Sequence, residues 1–124
     1  MTLAITAQGR DLDAPIDPRF GRCQYFVIID SDTERFEAFT NQSLAASGGA
    51  GIQSAQFLAD RKVDAVITGN VGPNAARALR GAGIEVYTVT SGTVREALKA
   101  FREGNLKTVS EATVSSHFGM GHMR

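Results

Sequence analysis

The sequence predicts an α/β fold, a mixed five-stranded sheet in the order 3-2-1-4-5 flanked by three helices. Two features predict the elements: five short runs of β-branched or alternating apolar residues, and three segments with helical apolar spacing between and after the later runs. A third is the punctuation, since a glycine-containing turn precedes each helical segment.

In chain order, the first strand is expected over Leu3 to Ala7, the second over Tyr25 to Asp30 and the third over Arg35 to Thr40. The polar tetrad "SDTE" between the last two reads as a hairpin turn. The fourth and fifth strands, "DAVIT" at 64–68 and "IEVYTV" at 84–89, are rich in β-branched residues, which pack well on a pleated surface. The first helix is expected over roughly Gly51 to Lys62, with Ile52, Ala55, Leu58 and Ala59 turned inward. In "PNAARALRGAG", Ala75, Ala78, Leu79 and Ala82 share a helix face, with Pro73 suited to the first turn and a glycine closing it. In "TVREALKAFREG", Val94, Ala97, Leu98 and Phe101 repeat that spacing, Thr93 and Glu96 make a capping-box pattern, and Gly104 ends the helix.

If the first three strands form an antiparallel meander, right-handed crossovers through the first two helices add the fourth and fifth strands parallel to the first. That closure is similar to the ribonuclease-H-like arrangement. One domain is expected over residues 1–106, followed by an irregular tail at 107–124.

Composition narrows the partners. Thirteen basic and thirteen acidic residues cancel, which argues against a nucleic acid or an anionic membrane recognised by bulk charge. No run approaches the ~20 apolar residues that span a bilayer. The single cysteine makes no internal disulfide and the start "MTLAITAQGR" lacks signal-peptide character, so a cytoplasmic protein is expected.

The topology sends the segments that leave strands one, three, four and five to one edge of the sheet, where open α/β sheets bind ligands. At that edge lie "RFGRC" within the long loop from Gln8 to Gln24, "ASGGAG" at 46–51, "GNVGPN" at 69–74 and "TSGT" at 90–93. The last three open helices and offer amide donors at the positive end of a dipole, suited to anions. The candidate binding residues are therefore Arg19, Phe20, Gly21, Arg22 and Cys23; Ser47, Gly48, Gly49 and Gly51; Gly69, Asn70, Gly72 and Asn74; and Ser91, Gly92 and Thr93. Arg19 and Arg22 bring guanidinium groups to an anion, and an arginine beside Cys23 favours its thiolate. Against that stands the usual fate of a lone cysteine, a small buried hydrophobe. Asp11, Asp13 and Asp17 in the same loop must point away from an anion or stay solvated.

Catalytic signatures are missing. The first strand, "LAITA", has no carboxylate for a two-metal nuclease site, and neither a P-loop nor a nucleophile elbow occurs. The chain reads as a binder, not an enzyme. For metal ligation the candidates are Cys23 and, in the tail, His117, Met120 and His122, whose imidazole and thioether groups suit copper.

The stretches "RFGRCQYF", "SGGAGIQSAQFLADRKVDAVITGNVGPNAARAL" and "SGTVREALKAFREGNL" together resemble the nitrogenase iron-molybdenum-cofactor biosynthesis family, over Leu3 to Leu106. The resemblance implies a ribonuclease-H-like fold and a non-enzymatic carrier or scaffold of an anionic metal-sulfur cluster. The implied cluster is of the molybdenum-copper sulfide type, with an iron-molybdenum-sulfur cluster as the alternative, and a client or acceptor protein would receive it. Where relatives carry His-Phe-Gly-Arg this chain has Arg19. Electrostatic capture by Arg19 and Arg22 is therefore expected in place of ligation, with Cys23 as the substitute ligand to test. Two rivals remain at this level: an enzyme acting on a small phosphorylated ligand, and an interaction or regulatory module without a small ligand.

Overall fold

The computed structural model describes residues 1–43 and 48–109. The described elements are β1 (Thr2–Ala7), β2 (Tyr25–Asp30), β3 (Phe36–Thr40), α1 (Ala50–Asp60), β4 (Ala65–Thr68), α2 (Pro73–Gly81), β5 (Glu85–Thr88), α3 (Val94–Arg102) and β6 (Lys107–Val109). They build one mixed sheet of order β3-β2-β1-β4-β5-β6. β1 pairs antiparallel with β2 and parallel with β4, so the meander and both crossovers are as expected.

The strand number is not as expected. A sixth strand, Lys107–Val109, extends the sheet antiparallel to β5, with Tyr87 opposite Thr108. Three residues are too few to show alternation, and the free edge of β5 supplies the backbone partners that make "KTV" a strand. Gly104, at a positive φ of 73°, turns the chain back toward it after α3.

Helices cover both faces. On one, Ala4, Phe26, Val66 and Val86 of the sheet pack with Ala55, Leu58, Ala75 and Leu79 of α1 and α2. On the other, Leu3, Ile5, Val27 and Ile67 pack with Val94, Ala97 and Leu98 of α3. The period-two alternation of β1 divides its residues between the two layers. The inward faces of α2 and α3 follow the expected spacing at Ala75, Leu79, Val94, Ala97 and Leu98, whereas Ala82 is exposed. In α1 the phase differs: Ile52 is 48% exposed, and Ala50, Ser54, Ala55 and Leu58 are buried. The contact of Gly51 with Ala75 and the hydrogen bonds of Ser54 set that rotation, and apolar spacing carries no trace of either.

Candidate functional site

The loop Gln8–Gln24 clamps across the edge of the sheet. Its first half belongs to the α3 layer. Gln8 N–H donates to the Pro15 carbonyl at 2.9 Å, and Ile16 N–H to that of Gly92 at 2.9 Å. At the start of α3, Val94 N–H donates to Ala14 O at 2.9 Å and Arg95 N–H to Leu12 O at 2.7 Å. Thr93 N–H donates to the Glu96 carboxylate at 2.9 Å, and Glu96 N–H to Thr93 Oγ1 at 3.2 Å, completing the expected capping box. The four first-turn amides of α3 are thus satisfied within the protein. Ser91, Gly92 and Thr93, expected as anion donors, instead form a turn that holds the long loop. Gly92 is needed there, because its φ is 112° and a Cβ would lie 2.9 Å from the Glu96 carboxylate.

The second half of the loop crosses to the α1–α2 layer. Asn70 N–H donates to Pro18 O at 2.7 Å and Phe20 N–H to Asn70 O at 3.2 Å, so the loop pairs with the turn before α2. Close backbone approach does the rest. A Cβ at Gly69 would lie 2.7 Å from Pro18 Cα, one at Gly21 2.7 Å from Gly51 N, and one at Gly51 2.8 Å from Ala75 Cβ. The "RFGRC" loop, the start of α1 and the start of α2 are therefore in mutual contact, as expected for three of the four glycine segments.

The polar anchors of this half escaped the sequence reading. Asp17 is buried, and its Oδ1 accepts from Arg19 N–H at 3.1 Å and Arg19 Nε at 3.3 Å, while Oδ2 accepts from Gln24 N–H at 3.2 Å. It neither points away nor stays solvated. It staples the second half of its own loop, from Asp17 to Gln24. Thr6 Oγ1 bonds the Asp17 carbonyl at 2.6 Å and the Thr68 hydroxyl at 2.8 Å, tying loop, β1 and β4 together. The only sequence signal was a threonine near the carboxyl end of each of two largely apolar strands. Asp13 pairs with Arg95 at 3.1 Å on the surface, and Asp11 accepts from Asp13 N–H at 3.0 Å.

The other two helix ends differ. Among the described residues, the N-caps of α1 and α2 are Gly49 and Gly72, and neither helix has a side-chain cap or an acidic residue in its first turn. A Cβ at Gly48, Gly49 or Gly72 would meet nothing within 4 Å, so these glycines border open space among the described residues. Such exposed dipole ends favour an anion by ~0.3–1 kcal/mol each. Asn70 and Asn74 are exposed beside them. Arg19 has its Nε held by Asp17, yet its side chain is 59% exposed at the rim, and Arg22 is exposed nearby in sequence. Ser47, His117, Met120 and His122 lie outside the described residues.

Phe20 and Cys23 are core residues. Phe20 packs against Phe26 with ring centroids 5.9 Å apart, and Cys23 is fully buried in the same cluster. Burial first, and the Asp17 carboxylate second, push the thiol far above its ordinary value of 9.0; the Asn41 amide and Arg19 oppose this with smaller effect. The expectation of a thiolate favoured by its arginine neighbours is corrected accordingly: burial and the Asp17 carboxylate outweigh Arg19. At pH 8 a thiol reagent is expected to label the folded protein roughly a hundredfold more slowly than the unfolded chain. Because the folded thiol holds its proton more tightly, its contribution to stability is complete below pH 9.0 and falls as the pH rises further. Denaturant titrations across that range should show a slope of up to ~1.4 kcal/mol per pH unit that Cys23→Ala removes.

Residues 1–104 match the family described as dinitrogenase iron-molybdenum cofactor. An uncharacterised protein of Methanocaldococcus jannaschii is 31% identical over 115 residues, 86% of this chain and 98% of its own. Among solved structures, the apo form of the orange protein from Desulfovibrio gigas is 40% identical with a TM-score of 0.88, covering 91% of this chain and 96% of its own. A proposed NifB protein from Thermotoga is 37% identical with a TM-score of 0.80, covering 91% and 97%.

Proposed function

From the premise that this chain belongs to the dinitrogenase iron-molybdenum cofactor family, we propose that it is a non-enzymatic carrier or scaffold for an anionic molybdenum-containing metal-sulfur cluster. The observation that carries the reading is the pair of uncapped helix ends, α1 and α2, packed side by side beneath the "RFGRC" turn. Backbone amides and guanidinium groups complement the outer sulfides of a large, soft anion. The donor set fits such a cargo better than a bare cation, which needs lone pairs. The holding residues would be Gly48, Gly49 and Gly51 at α1, Gly69, Asn70, Gly72 and Asn74 at α2, and Arg19 and Arg22 at the rim.

A molybdenum-copper sulfide cargo, delivered to an acceptor protein in the cytoplasm, is the specific form of this proposal; an iron-molybdenum-sulfur cluster would use the same donors. The likeness to a ribonuclease-H-like fold is proposed alongside it, supported by the run β3-β2-β1-β4-β5 within the sheet. No helix among the described residues is long and apolar enough to cross a membrane.

Titration with tetrathiomolybdate and copper is expected to give a coloured complex. Replacing both Arg19 and Arg22 by alanine should weaken it about tenfold, since each exposed charge contact contributes at most ~1 kcal/mol. Absence of a complex with the unmodified protein, together with a melting temperature raised by a nucleotide or phosphorylated compound, would favour the enzymatic rival.

A further inference from the structure

Asn41 follows β3 directly and is 4% exposed. Its Nδ2 donates to the carbonyls of Gly21 at 3.1 Å and Cys23 at 2.9 Å, with Cys23 Sγ at 3.7 Å. Its Oδ1 accepts from Ser43 N–H at 3.0 Å, Ser43 Oγ at 2.7 Å and Ser54 Oγ at 3.4 Å, and the two serine hydroxyls lie 2.8 Å apart. Ser54 stands one turn inside α1. One buried amide thus joins the "RFGRC" turn, the segment after β3, and the helix whose open N-terminus forms half of the proposed cargo site. The task needs donor and acceptor on one short side chain. A carboxylate lacks the donor, an ammonium lacks the acceptor, and a hydroxyl is too short to reach both sides.

We infer that Asn41 is a positioning residue for this edge: it draws the Gly21 and Cys23 carbonyls inward and so fixes the height of the turn above α1. Planarity of the peptide unit supplies the mechanism. In a trans peptide the carbonyl and the following N–H point in opposite directions. With the Cys23 carbonyl on Asn41, the Gln24 N–H faces the other way, and there it meets Asp17 at 3.2 Å. Asn41 holds the turn through its carbonyls and Asp17 holds it through its amides. The turn cannot tilt without breaking one set. This rests on the cargo reading above and names the residue that sets how far the turn stands from the helix ends.

The test compares Asn41→Asp with Ser54→Ala. The first keeps the size of the side chain but turns a second acceptor toward two carbonyls; the second removes a partner from the acceptor side only. Both are measured for tetrathiomolybdate-copper affinity, melting temperature and amide hydrogen exchange at Cys23 and Gln24. Asn41→Asp is expected to lower affinity at least tenfold and to speed exchange at those two amides at least tenfold, whereas Ser54→Ala, which leaves Asn41 Nδ2 on the Gly21 and Cys23 carbonyls, lowers the melting temperature, keeps wild-type exchange at those amides and lowers affinity by less than Asn41→Asp. Wild-type exchange in Asn41→Asp overturns the inference, and so does exchange at Cys23 and Gln24 that is sped as much in Ser54→Ala as in Asn41→Asp, since that is general loosening. If the unmodified protein takes up no cluster, the cargo reading fails, and the exchange comparison, which needs no ligand, decides the role of Asn41. Should Asn41→Asp not fold, Asn41→Ser, with one donor of shorter reach, is expected to show the same exchange pattern and is judged by it.

Discussion

Phe20→Ala is expected to lower the stability of the protein by about 3–5 kcal/mol, the range for emptying a buried aromatic site. Phe20 is only 2% exposed although it sits in a loop, and its ring lies against Phe26, which in turn stacks on Phe57 of α1 at 5.7 Å. The loop is therefore anchored by a core side chain. Its truncation removes that anchor from the same stretch that carries Arg19 and Arg22, so cargo affinity should fall with stability. Urea unfolding followed at equilibrium should show a lower midpoint with an unchanged slope. Phe20→Leu should recover much of the loss. A penalty below about 1 kcal/mol would mean that the loop collapses into the space, and that Phe20 does not hold it.

Gly21→Ala is the second large effect, expected at about 1–3 kcal/mol as an overpacked contact. The added methyl would stand 2.7 Å from Gly51 N and 2.8 Å from Gly51 Cα. Both are backbone atoms at the start of α1, so no side chain can swing aside, and the turn must lift from the helix. Lifting separates the arginines from the α1 amides, and tetrathiomolybdate-copper binding should weaken more than in the double arginine variant. Gly72→Ala is the matching control. Its Cβ would meet nothing within 4 Å and its φ is −75°, a value open to any residue, so its stability should change by less than ~0.5 kcal/mol. Equal losses in the two variants would show that the approach of Gly21 to Gly51 is not what shapes the edge.

The glycine segments illustrate how far a sequence can be read. Their position after strands and before helices follows from local pattern, and so did the expectation that they share an edge. Which of them have their amides taken within the protein did not follow. The start of α3 carries the same kind of signal as the starts of α1 and α2, yet its amides are taken by Leu12, Ala14 and the Glu96 carboxylate. The capping box was legible, because Thr93 and Glu96 are three residues apart. The loop carbonyls were not, since they come from about eighty residues upstream.

Cys23 and Asp17 make the same point about charge. Arg19 and Arg22 lie close to Cys23 in sequence and suggested a thiolate, but proximity along the chain says nothing about solvation. Burial removes the water that a thiolate requires, and the carboxylate charge acting on it is that of Asp17. Asn41 carries no local sequence signal, because its partners at Gly21, Cys23 and Ser54 belong to two other segments.

From its residue order alone, the chain determined its elements, their sequence along the sheet as far as β5, and the grouping of glycine-rich turns at one edge. Those properties arise from periodicity and turn chemistry acting over a few residues. Tertiary structure alone decided that β6 extends the sheet, that Ile52 faces outward, that Cys23 is core, that the α3 terminus is closed, and that Asp17 and Asn41 hold the loop from opposite sides. Burial and hydrogen-bond partnership depend on groups far apart in the chain, such as Thr6 and Thr68, whose bond spans 62 positions, and they exist only once the layers have packed.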